Sequence, residues 1–206
     1  MQTCGNDFII YRHTTRTKNV LVKDWLTLFI VALGADVQVT YNVLLSACVK
    51  GHRLDEARGV FREMRAAGVR ADTVTFNTYI SACADGEEWQ EAGRVFRSME
   101  AGAVPADAIT YNALISAYAK GRQWQLGVQT YHGMILGGLQ PTRITFNTLI
   151  SACARSGQPS EAVRIFEVMK RSGVTPDAVT FSTLISACAS AGHWQQAHAR
   201  YAPSLL

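Results

Sequence analysis

Asn42, Asn77, Asn112 and Asn147 stand 35 residues apart, and Ser182 takes the next place in the series. Each follows an aromatic residue directly: Tyr41, Phe76, Tyr111, Phe146 and Phe181. Two places before the aromatic comes a β-branched residue, Val39, Val74, Ile109, Ile144 or Val179. Four places beyond the Asn or Ser comes a second serine, at Ser46, Ser81, Ser116, Ser151 and Ser186. One turn further stand Lys50, Lys120 and Arg155, a cationic series that Asp85 and Ser190 interrupt. At about 100° per residue the β-branched residue, the Asn or Ser, the second serine and the cation share one helix face, opposite the aromatic. A carboxamide carries both a donor and an acceptor, as a nucleobase edge does, and a β-branched side chain packs on a base face. A merely solvated face needs polarity and no regularity. The repeated amide beside a repeated apolar neighbour therefore favours a wall that reads a ligand.

Other residues capable of chemistry read differently. Cys48, Cys83, Cys153 and Cys188 keep the same period, with Tyr118 in the third place. Equivalent residues on stacked helical units lie about 8–10 Å apart or more, beyond disulfide reach. They are expected to be small buried hydrophobes. The histidines share no period and no metal-ligand spacing. Neither a His-x-Glu with Cys-x-x-Cys signature nor an acidic cluster of the metal-nuclease kind occurs. The expectation is a non-enzymatic protein without a cofactor or metal.

These residues must be positioned by repeated elements. A fixed period of 35 marks a solenoid of stacked units rather than one globular core. The units are 38–72, 73–107, 108–142, 143–177 and an incomplete 178–206, after a non-repeat segment 1–37. Within a unit, Tyr41, Leu44, Leu45 and Cys48 fall at i, i+3, i+4 and i+7, one apolar stripe of a first helix. Gly51, Gly86 and Gly121, or one place later Gly157 and Gly192, supply its stop. Leu54, Ala57, Val60, Phe61 and Met64 make the stripe of a second helix, which Trp89, Trp124 and Trp194 open in their units. Small Ala57, Ala92, Ala162 and Ala197 allow close approach, and segments such as "SGVTPD" break the helix before the next unit. Neither helix buries its stripe alone. The fold class expected is all-α: a right-handed α-solenoid superhelix of stacked helix-turn-helix repeats.

Composition agrees with this reading. Of 206 residues, 48% are hydrophobic and 17% charged, which excludes a disordered chain. A net charge of +4 permits a polyanionic partner without demanding one. The apolar run Trp25–Leu33 falls short of the roughly 20 residues that span a membrane, so no membrane association is expected. It reads either as a helix, over about 24–33, that caps the first unit, or as the remnant of a degenerate unit. Arg12, Arg16 and Lys18 give a faint likeness to an organellar presequence, which Asp7 weakens; no targeting signal is evident.

The recurring pattern of "VTFNT", "LISAC", Glu-Ala, an aromatic, Met and "GV-PD" resembles the pentatricopeptide repeat family of RNA-binding solenoids, in its plain 35-residue subclass. The resemblance covers residues 38–206. The tetratricopeptide repeat, a peptide-binding relative, has a 34-residue unit and no need of aligned amides. The resemblance implies that each unit contacts one base of single-stranded RNA. The residue after the aromatic and the residue closing the unit would choose the base, as the pairs Asn42–Asp72, Asn77–Asp107, Asn112–Thr142 and Asn147–Asp177. The β-branched residue would sandwich the base, and Lys50, Lys120 and Arg155 would contact phosphates. Asn with Asp goes with uridine in the family, Asn with another small polar closer with a pyrimidine, and Ser182 with a purine. The implied target is about U-U-Y-U-purine, read 5′ to 3′. Asp72, Asp107 and Asp177 also suit helix caps, a role compatible with base selection. By resemblance the setting is organellar RNA metabolism, in chloroplasts rather than mitochondria, with other RNA-processing proteins as further partners. Solenoid ends need polar caps, so the chain reads as a fragment of a longer array.

Overall fold

Each first helix starts at an Asp or Thr, and the first four stop at Gly51, Gly86, Gly121 and Ser156. The computed structural model describes residues 36–190, in which nine helices and no strands occur. The first helices are α1 Val37–Lys50, α3 Thr73–Asp85, α5 Ala108–Lys120, α7 Arg143–Arg155 and α9 Ala178–Ser190. The second helices are α2 Leu54–Ala66, α4 Trp89–Ala101, α6 Trp124–Leu136 and α8 Pro159–Arg171. No helix among the described residues is long and apolar enough to cross a membrane. The expected helix at 24–33 and the second helix of the last unit, with Gly192, Trp194 and Ala197, lie outside the described residues.

The packing order follows from the two stripes. Every first helix packs on the next first helix, and every second helix packs on its own first helix and the following one. Among the described residues, no Cα of one second helix comes within 8 Å of a Cα in another second helix. A continuous inner row and a spaced outer row make a curved solenoid with α1, α3, α5, α7 and α9 along the inner wall. The core runs between the rows in two clusters that meet at α5, whose Leu114 and Tyr118 enter one and whose Ile115 enters the other.

The periodic cysteines lie in this core. Cys83, Cys153 and Cys188 are buried and Cys48 is half-buried, all as free thiols. Burial pushes the Cys83 and Cys153 thiols up to about 12, so both are inert hydrophobes at neutral pH. In the third unit, Tyr118 fills the Cys place by using room left at Gly93 of α4. A Cβ on Gly93 would sit 2.7 Å from the Tyr118 hydroxyl. One joint later the same two places hold Cys153 and Val128, both in the second cluster. Size is exchanged between neighbouring units while the summed volume is kept.

The glycines after the first helices stop them as the sequence implies, for a different reason. Gly51, Gly86 and Gly121 have φ of −84°, −81° and −75°, ordinary for any residue. The left-handed place is the next one, held by His52, Glu87, Arg122 and Gly157. What the glycines provide is contact. A Cβ on Gly86 would lie 2.6 Å from Leu54 Cδ2, and one on Gly121 would lie 2.3 Å from Trp89 Cδ1. The preceding unit's second helix therefore seats its first residue on a bare backbone.

Candidate functional site

The first turn of each first helix carries the side chains of interest, and its cap ties them together. Asp72 and Asp107 are the N-cap residues of α3 and α5, with capping boxes closed by Thr75 and Thr110. Ahead of α7 the reciprocal half of the box is present, the Thr142 N–H donating to Thr145 Oγ1 at 3.1 Å. Ahead of α9, the Thr180 N–H donates to Asp177 Oδ1 at 2.9 Å. The capping role read for Asp72, Asp107 and Asp177 is thus present.

Asp72, Asp107 and Asp177 also each receive the Asn of the preceding unit. Asn42 Nδ2 donates to Asp72 Oδ1 at 3.4 Å, and Asn147 Nδ2 donates to Asp177 Oδ1 at 3.2 Å. Asn77 Nδ2 reaches both Asp107 oxygens, at 3.1 and 3.3 Å. The other end of each amide is held by a threonine. Thr75, Thr110, Thr145 and Thr180 donate to the Oδ1 of Asn42, Asn77, Asn112 and Asn147 at 2.6, 2.5, 2.7 and 2.6 Å. These four threonines are completely buried. Their role escaped the sequence reading, although a Thr before every aromatic was a visible signal.

The sites assigned by residue type thus fall together at three of four joints. At the third, the closing residue Thr142 bonds with Thr145 at 3.3 Å, and no carboxylate stands against the Asn112 amide. A carboxylate only accepts, so it fixes the orientation of Asn42, Asn77 and Asn147 with Nδ2 toward Asp and Oδ1 toward Thr. Beyond these bonds the Asn42 and Asn147 amides each have one further N–H and one further lone pair. Asn112 keeps both N–H groups. Ser182 is exposed, and its hydroxyl donates to the Val179 carbonyl at 3.0 Å.

The β-branched residues stand beside these amides and face solvent. Val39, Val74, Ile109, Ile144 and Val179 are 55–67% exposed, among the few large hydrophobic side chains left uncovered. Five apolar side chains held in water at one repeat spacing form a ladder, with the amides as its second rail. The electrostatics of the wall are uneven. Lys50 and Arg155 are exposed. Lys120 Nζ instead lies 2.9 Å from Asp85 Oδ1 of the preceding unit. Arg143 Nη1 lies 3.7 Å from Asp177 Oδ2, a second cation on this wall that the sequence reading did not single out.

The cap carboxylates are stronger acids than usual. Partial burial pushes Asp72 and Asp107 up, but bonds from Thr75 and Thr110, then from Asn42 and Asn77, outweigh it and hold both below the usual range. Asp177 is lowered by the Thr180 backbone and hydroxyl bonds, then by Asn147 and Arg143. Among the described residues, no group of three His, Cys, Asp or Glu side chains could hold a metal ion.

Comparison with known proteins places this geometry. The fold is similar to that of pentatricopeptide repeat protein PPR10 in complex with an 18-nt psaJ RNA element, with TM-score 0.73 and 25% identity. That match covers 92% of this chain and 28% of the other. PPR10 from maize matches at TM-score 0.68 and 31% identity, over 88% of this chain and 26% of that one. Nuclear proteinaceous RNase P 2 from A. thaliana has the same fold at TM-score 0.72 and 14% identity, over 82% and 38% of the two chains. The chain thus spans under a third of PPR10. Curated proteins gave no match. Successive matches to the PPR repeat family cover residues 37–85, 71–120, 106–155 and 141–190, nearly the whole described array. Each match takes in two consecutive first helices and the joint between them, and the chain belongs to the PPR repeat family.

Proposed function

We propose that this chain binds single-stranded RNA, one base per unit, with the Asn column as the reading edge. The observation that carries this is the paired ladder. Amides clamped by a neighbouring unit alternate with β-branched side chains that stand 55–67% exposed on the same wall. Exposing apolar surface is unfavourable by about 25 cal/mol per Å², so five such residues in one row call for a flat apolar occupant. Bases stacked between Val39, Val74, Ile109, Ile144 and Val179 would fill that role, with Asn42, Asn77, Asn112, Asn147 and Ser182 at their edges.

Clamping supports selectivity as well as binding. An amide free to rotate by 180° would offer donor and acceptor interchangeably. One held between Thr110 and Asp107 offers a fixed pattern. On the family pattern this gives U-U-Y-U-purine, the third base less constrained because Thr142 replaces the carboxylate. Lys50, Lys120 and Arg155 are the proposed phosphate contacts, and binding without catalysis in organellar RNA metabolism, in chloroplasts before mitochondria, is the proposed setting. Units 38–72, 73–107, 108–142, 143–177 and 178–206 are the proposed reading modules. PPR10, to which the chain is similar, was solved with an RNA element.

The test is a gel-shift comparison of U-rich and A-rich oligomers. The proposal expects measurable, preferential binding of the U-rich strand. Equal binding or none would favour a protein-binding scaffold of the tetratricopeptide kind.

A further inference from the structure

The cationic column of the inner wall has one reversed rung. Lys50, Lys120 and Arg155 close the first helices of units one, three and four, whereas Asp85 closes that of unit two. Its carboxylate does not stand alone in water, because Asp85 Oδ1 takes the Lys120 ammonium of the next unit at 2.9 Å. Fold stability does not account for an acid at this place. Asp85 is the last residue of α3, at the negative end of the helix dipole, where a cation is the favourable charge and where α3 has no basic residue in its last turn. The two side chains remain 46% and 32% exposed, and an ion pair so open to solvent adds little to stability. The turn that follows is made by backbone bonds, Gly86 N–H to the Ala82 carbonyl at 3.0 Å and Glu88 N–H to the Cys83 carbonyl at 2.9 Å.

We propose that Asp85 is a built-in competitor for phosphate: it occupies Lys120, removes one of three anion contacts, and thereby sets the strength and salt dependence of RNA binding. This rests on the RNA-binding reading above and refines it. A phosphate approaching Lys120 meets an ammonium already neutralised and a carboxylate that repels it. The rung formed by units two and three then contributes almost no counterion release, while Lys50 and Arg155 contribute theirs. With about 0.7 of log–log salt slope per single-strand contact, the native chain is expected near −1.4, Asp85→Asn near −2.1, and Asp85→Lys near −2.8. One contact of that slope is about fivefold in affinity at about 0.1 M salt.

The experiment measures affinity for a U-rich oligomer by fluorescence anisotropy across a salt series, for the full chain and its variants. Asp85→Asn is expected to bind about fivefold more tightly at about 0.1 M salt and with the steeper slope. Its U-over-A preference should stay the same, because a phosphate contact acts on all sequences alike. Lys120→Met should weaken the Asp85→Asn chain by more than it weakens the native one. Asp85→Ser, which gives unit two the residue that unit five carries at Ser190, serves as a second variant should Asn disturb the turn. Identical affinity and slope in the native, Asn and Ser chains would overturn the proposal while leaving the binding reading intact. An absence of binding by every variant at the lowest salt, Asp85→Lys included, would overturn both.

Discussion

The smallest unit of this wall is a triangle of Asn, Thr and Asp that joins one unit to the next. Thr110 Oγ1 lies 2.5 Å from Asn77 Oδ1 and 2.9 Å from Asp107 Oδ1, so the two oxygens share its single hydroxyl proton. Replacing Thr110 with Val keeps the shape, leaves Asn77 Oδ1 without that donor, and removes the acceptor of the Asp107 N–H. We expect Thr110→Val to destabilise the array by about 1–3 kcal/mol, read by urea unfolding, and to blur base preference at the second unit. The carboxylates give a pH signature. A carboxyl that is more acidic folded than unfolded adds stability that is complete above its unfolded value, about 3.9, and that fades as pH falls through the folded value. Melting temperature is therefore expected to hold above about pH 5 and to drop below about pH 4. The Asp72→Asn, Asp107→Asn, Asp177→Asn chain should lose much of that acid-side dependence. A melting curve with the same acid dependence in both chains would refute the link. The Asn column and the caps were legible in the sequence because each is a residue type at a fixed interval. The triangle was not. Its members are 30 and 33 residues apart, and only the stacking angle of two units decides whether such residues meet.

Between helices, the array trades volume across joints. Tyr118 fits the Cys place only because α4 offers Gly93, whose absent Cβ would be 2.7 Å from the phenol oxygen. Gly93→Val is expected to destabilise by about 1–3 kcal/mol through overpacking. Adding Tyr118→Cys should recover most of the loss, since it recreates the Val128 and Cys153 pairing of the next joint. Additive losses in the double variant would contradict the account. The turn after α4 holds a separate strain. Ala103 has φ +51°, where the corresponding Gly68, Gly138 and Gly173 have +72°, +75° and +76°. A left-handed non-glycine costs about 1–2 kcal/mol and glycine's extra chain entropy returns about half of it. Ala103→Gly should therefore raise the melting temperature, through a gain of about 0.5–1 kcal/mol in stability. Helix ends were legible from glycine and proline. The reason for Gly86 and Gly121 was not, because contact with Leu54 and Trp89 belongs to the neighbouring unit and leaves no local trace.

Across the whole molecule, curvature turns a sequence period into a groove. Among the described residues, the backbones of successive first helices approach more closely than those of successive second helices, so the wall bearing Val39, Val74, Ile109, Ile144 and Val179 is the shorter, inner one. The all-α solenoid and its inner stripe followed from periodicity alone, since one unit with two unsatisfied stripes has no other way to bury them. Charge along the groove did not follow. Lys120 reads as a free cation until the 35-residue offset is seen to place it against Asp85. Arg143 likewise gains meaning only from its distance to Asp177. The central claim, that each clamped Asn reads one base independently of its neighbours, is tested most directly by changing one clamp. On the family pattern, in which Thr with Asp goes with guanosine, in-vitro selection with Asn77→Thr, which leaves Asp107 in place, should move preference at the second base from uridine toward guanosine and leave the other positions as they were. A profile unchanged at that base, or altered along the whole site while binding persists, would contradict it.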